Sequence, residues 1–112
     1  MRLLTQNLKK AIARRREYRF CMRQATFKDH ICAGKITIEH CFIFAGRQLN
    51  ELWALISLCE YAHSVGPYQD TGILNKRKNA YISLMRATPK DLAKYSRRDF
   101  TQLKKYLTQK YE

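Results

Sequence analysis

Glu39 and His40 stand side by side, and a second histidine, His63, follows in the run Leu58-Cys59-Glu60-Tyr61-Ala62-His63. An acid directly before a histidine at a strand end, with a later histidine after a turn, suits metal-assisted hydrolysis of a phosphodiester. A neutral imidazole within reach of a water takes its proton, while an oxygen ligand and another imidazole hold a divalent ion against the scissile phosphate. The water then attacks in line. The plainer alternatives are a hydrogen-bonded histidine on a strand face for His40 and a surface histidine at a helix start for His63.

Four cysteines, Cys21, Cys32, Cys41 and Cys59, are the other reactive set. Structural zinc favours closely spaced ligand pairs, and no Cys-x-x-Cys occurs. Eight to seventeen residues separate neighbouring cysteines, so buried free thiols are the preferred reading. The alternative is a zinc site built from Cys32, Cys59 and some of Cys21, His30 or Cys41.

The elements that must position these groups follow from periodicity. Residues 3 to 19 set Leu3, Leu4, Leu8, Ala11 and Ile12 on one helical face and basic residues on the rest, predicting an amphipathic helix. A polar stretch with Cys21 and His30 follows. Cys32-Ala33-Gly34-Lys35 reads as a turn feeding a period-two run from Ile36, a strand ending near His40. Gly46 to Glu51 reads as a loop, and Leu52 to Leu58 is a short apolar run that fits a second strand or the start of a buried helix. Residues 64 to 72 read as a loop, and a helix is expected from Asn75. Thr88-Pro89-Lys90-Asp91 is a helix start with the chemistry of a capping box, and Ser96-Arg97-Arg98-Asp99 opens a last basic helix.

The charge is unevenly spread over the 112 residues. The net of +13 divides into +7 over residues 1 to 30, −2 over 31 to 72 and +8 over 73 to 112. A nearly neutral, histidine-bearing centre thus lies between two cationic flanks, which points to a polyanion, nucleic acid first. Arg14, Arg15, Arg16, Arg19, Lys76, Arg77 and Lys78 are the candidate phosphate contacts. At 46% hydrophobic residues the chain can build a modest core, which argues against a disordered basic tail. The longest apolar stretch, Leu52 to Cys59, is far short of a membrane span, and the opening Met1-Arg2-Leu3-Leu4-Thr5-Gln6-Asn7 turns polar too soon for a signal peptide. An intracellular protein without membrane contact is the expectation.

Taken together, "CAGKITIEHCFIFAGRQLNELWALISLCEYAHS" followed by "LNKRKNAYISLMRAT" resembles the HNH, or ββα-metal, endonucleases, in particular small ones of phage and prophage type. The resemblance covers about Cys32 to Thr88. It implies an α+β fold in a single domain, 1–112: a basic N-terminal helix and lead-in over 1–30, a treble-clef-like ββα-metal core with its following helix over 31–88, and basic C-terminal helices over 89–112. It makes Trp53 to Leu58 the second strand. It also implies His40 as general base, Glu39 and His63 as metal ligands, and a divalent cofactor, Mg²⁺ or Mn²⁺ with Zn²⁺ or Ni²⁺ as alternatives. The family's middle asparagine falls here on Ala54, with Asn50 nearby as its substitute in catalysis. In the basic helix that follows, Asn79 is a candidate to complete the metal coordination. The expected substrate is DNA, in the cytoplasm of a bacterial host, with a homodimer or a larger nuclease complex as the assembly to consider. Ala54 keeps open a rival, a non-catalytic nucleic-acid-binding module of the same shape; a small RNA-binding or assembly protein is the more distant one.

Overall fold

Residues 4–62, 73–95 and 97–112 are described by the computed structural model. His63 and the expected loop 64–72 therefore lie outside the described residues. Thr5 starts the first helix, its Oγ1 accepting from the Leu8 N–H at 3.2 Å, and α1 runs Gln6–Arg14. The amphipathic pattern predicts a helix to residue 19, but Arg15 is extended and Arg16–Arg19 form a separate 3-10 turn. The helix breaks because the next aromatic is drawn inward. Tyr18 is buried, and its hydroxyl, donating, lies 2.7 Å from the Leu52 carbonyl and 2.9 Å from that of Leu55.

A short helix α2, Met22–Phe27, occupies the stretch that reads as polar in sequence, too short to announce itself by periodicity. Strand β1, Ile36–His40, ends where the sequence places its end. The expected loop after Ala45 is instead a small hairpin of β2, Ile43–Phe44, and β3, Arg47–Gln48. Ala45 and Gly46 both take positive φ at its tip, the turn geometry that matches the twist of paired strands. Leu52–Ala54 form a 3-10 turn, and β4, Leu55–Cys59, pairs antiparallel with β1 in the register Ile36↔Cys59 to His40↔Leu55. All five residues of β4 are buried, which explains why it reads as a continuous apolar run. The chain turns helical again at Glu60.

Helix α3, Ile73–Arg86, starts slightly ahead of the expected Asn75 and packs against α2, β4 and the last helix. At α4, Pro89–Leu92, the capping box is complete: Thr88 Oγ1 accepts from the Asp91 N–H and the Asp91 carboxylate accepts from the Thr88 N–H. Helix α5, Arg97–Tyr111, closes the fold. The result is a small α+β domain with two antiparallel hairpins. Among the described residues, no helix is long and apolar enough to cross a membrane.

Two apolar clusters flank α3. One joins Trp53, Leu84, Phe100 and Leu107, with Phe42 and Phe44 against it. The other joins Tyr18, Met22, Ile56, Leu58 and Ile82. A polar pin crosses between elements at Arg86, whose guanidinium donates to the Leu55 carbonyl at 2.6 Å, the Leu52 carbonyl at 3.1 Å and the Tyr18 hydroxyl at 2.6 Å. It also lies over the Tyr18 ring, 4.8 Å from its centroid. Tyr18→Phe keeps the ring but leaves the guanidinium and two carbonyls short of a partner. Urea unfolding should show a loss of about 1–3 kcal/mol with an unchanged slope; an unchanged midpoint would mean the hydroxyl contributes nothing.

Candidate functional site

The end of β1 opens into a cleft of about 330 Å³ lined by Glu39, His40, Gln48, Lys76 and Asn79 among others. Strict alternation along a strand would point Glu39 and His40 to opposite faces. Because β1 stops at His40, the cleft wraps around the strand end and both residues line it. Behind His40, Asn50 approaches from the segment after β3. Its Oδ1 lies 2.7 Å from His40 Nε2. An amide oxygen only accepts, so Nε2 carries the hydrogen and the lone pair sits on Nδ1. Three of the expected groups, Glu39, His40 and Asn50, are thus brought together, and Lys76 adds a cation to the same cleft.

The other expected ligands fare differently. His63 lies outside the described residues. Asn79 lines the cleft, yet its Oδ1, the atom a metal would need, already accepts from Arg23 Nη1 at 3.2 Å. Ala54, at the place of the family's middle asparagine, is fully buried.

Of the candidate phosphate contacts, Arg14, Arg15, Arg16, Arg19 and Lys76 are exposed. Arg77 lies over the Tyr106 ring at 5.7 Å. Lys78 is turned inward, its Nζ 3.0 Å from Asp29 Oδ2 and 5.1 Å from the centre of the Phe27 ring.

The second constellation is one that chain spacing hides. Cys21 Sγ, His30 Nε2, Cys32 Sγ and Cys59 Sγ all lie within 4.8 Å of one another, a group able to hold a metal ion. Cys21 comes from the start of α2, His30 and Cys32 from the loop before β1, and Cys59 from the end of β4. The loop is folded onto β4's end by backbone bonds, Glu60 N–H to the Lys35 carbonyl at 2.9 Å and Tyr61 N–H to the Ala33 carbonyl at 3.1 Å. Sequence separation argued for isolated thiols; the paired strands and this loop bring three of the four together. Cys41 stands apart, its thiol donating to the Asn79 carbonyl at 3.7 Å, and burial pushes it up to about 12.

Electrostatics set Cys59 and Cys32 apart. Burial alone would raise Cys59, but the N–H groups of Ala62 and Ala33 and the His30 ring outweigh it and hold the thiol low, at about 6. Burial and the neighbouring Cys59 and Cys21 sulfurs push Cys32 up, because anions crowded together resist a second ionisation. His30 is held from behind: its Nδ1 lies 2.8 Å from Asp29 Oδ1. Burial opposes ionisation of Asp29, yet hydrogen bonds from His30 and Lys78 and the Arg23 charge keep its carboxyl below the ordinary value. The only signals in sequence were the Asp29-His30 dipeptide and the close His30-x-Cys32 spacing.

No family model matches the chain, and no curated protein or solved structure matches it either.

Gly34 governs how closely the loop approaches Glu60. It has φ +82, and a Cβ added there would meet Glu60 Cβ at 2.8 Å. Gly34→Ala should therefore cost about 1–3 kcal/mol of stability in thermal or urea unfolding. An equally stable variant would show that the 32–35 loop is not held against Glu60.

Proposed function

We propose that the protein is a metal-dependent endonuclease of the HNH, ββα-metal type that hydrolyses DNA phosphodiester bonds, with His40 as general base. The observation that carries this reading is the 2.7 Å contact between Asn50 Oδ1 and Nε2 of His40, which lines a cleft with Glu39 and Lys76. An antiparallel hairpin running into a helical turn supports the same reading, since that is the order of elements a ββα core requires.

In this mechanism Asn50 fixes the imidazole in the tautomer that leaves the lone pair on Nδ1 to act as the base. His40 Nδ1 takes a proton from a water, and that water attacks phosphorus in line with the departing sugar oxygen. Lys76 offsets charge on the phosphate in the cleft. Glu39, which lines the cleft, would hold a divalent cation through its carboxylate, and His63, beyond the described residues, is the second ligand implied by the resemblance. A divalent cation held by these residues would supply Lewis-acid stabilisation of the charge that builds up on the phosphate. Arg14, Arg15, Arg16 and Arg19 contact the backbone without reading bases.

Plasmid nicking with Mg²⁺ or Mn²⁺, abolished by EDTA, is the test. His40→Ala should lower the rate on the order of 10²- to 10⁴-fold, with Asn50→Ala lowering it less. Binding through about five cationic contacts should weaken with salt at a log-log slope of roughly −4 to −5. Gel shifts with no nicking in any metal would replace the enzyme by a DNA-binding module of the same shape, and preference for structured RNA would replace both.

A further inference from the structure

We infer that Cys21, His30, Cys32 and Cys59 form a closed, tetrahedral zinc site that is structural and separate from the cleft of His40. Tetrahedral zinc with Zn–S bonds of about 2.3 Å and a Zn–N bond of about 2.0–2.1 Å requires nitrogen-to-sulfur edges of about 3.6 Å. The three edges from His30 Nε2 are 3.5 Å to Cys21, 3.6 Å to Cys32 and 3.3 Å to Cys59. All three sulfurs converge on one imidazole nitrogen whose ring is almost wholly buried, its side chain 1% exposed. Three thiolates and one imidazole are soft and borderline donors, the set zinc prefers over magnesium or calcium.

The second shell is equally specific. Asp29 accepts from His30 Nδ1, which fixes the tautomer with the Nε2 lone pair aimed at the sulfurs. The carboxylate is itself held by Arg23 Nε at 2.9 Å and Lys78 Nζ at 3.0 Å. Arg23, buried to 1% exposure, reaches on to Asn79 at the cleft wall. Four protein ligands leave no open position, so the ion organises the chain and does not act on substrate. The register of the hairpin separates the two centres: Cys59 pairs with Ile36 at one end and His40 with Leu55 at the other. Four strand steps amount to about 13–14 Å along β1, too far for one ion to serve both. The inference stands whether or not the protein cleaves DNA.

Metal analysis of the full chain, purified from zinc-supplemented medium and dialysed against a weak chelator, should find one zinc per chain. Replacement by Co²⁺ should give the intense visible bands and thiolate charge-transfer absorption of a tetrahedral site. His30→Ala should lose the metal, His30→Cys should retain it through a fourth sulfur, and Cys41→Ser should leave it unchanged. Asp29→Asn should weaken zinc binding about 10- to 100-fold in chelator competition. A chain that is zinc-free and gives only the weak spectrum of octahedral Co²⁺ would overturn the proposal. So would a disulfide among these cysteines in the protein as isolated, or metal loss in Cys41→Ser equal to that in His30→Ala. The wild-type measurements need no variant to fold, and none of these readouts involves DNA, so they are decided independently of nuclease activity.

Discussion

One carboxylate, Asp29, carries the arrangement on which both centres depend. Burying the Arg23 guanidinium is costly unless an anion and acceptors meet it, and Asp29 and Asn79 do. The same carboxylate draws Lys78 in from α3 and holds the His30 ring. The adjoining α2 and loop before β1 are therefore tied to the distant α3 through a group whose side chain is only 11% exposed. Losing it would strand two cations and a buried imidazole at once.

The second tie is the Tyr18 and Arg86 pin on β4. It satisfies the Leu52 and Leu55 carbonyls where the 3-10 turn passes into the strand. Between these two ties β4 is buried along its whole length, and β1 is hydrogen-bonded beside it. The hairpin thus has a sulfur-rich end and a histidine-bearing end. The first gathers Cys21, His30, Cys32 and Cys59 from separate segments, whereas the second opens into the cleft lined by Glu39, His40 and Lys76.

Local patterns were well read from the chain. The Thr88 capping box and the strand ending at His40 depend on residues adjacent in sequence, and they occur as expected. The apolar run from Leu52 leaves strand and buried helix open, and the strand implied from Trp53 begins only at Leu55, after a 3-10 turn. The N-terminal helix is shorter than its amphipathic pattern predicts because the side chain that ends it, Tyr18, answers to carbonyls 34 and 37 residues away. Helix α2 and the Ala45-Gly46 hairpin are not legible in the sequence because elements of six and two residues are too short for a periodic signal.

The sites divide along the same line. Sequence alone determined that Glu39 and His40 stand together at the end of β1, since they are neighbours and their strand sets where they stand. It also determined the cationic flanks, which follow from composition. Only the tertiary structure decided that Asn50 meets His40, that Lys78 turns inward to Asp29, and that Cys21, His30, Cys32 and Cys59 share one centre. The physical reason is that a ligand cluster depends on distance in space. Antiparallel pairing of β1 with β4, with a loop folded over its end, cancels the long separation along the chain that had argued against a metal.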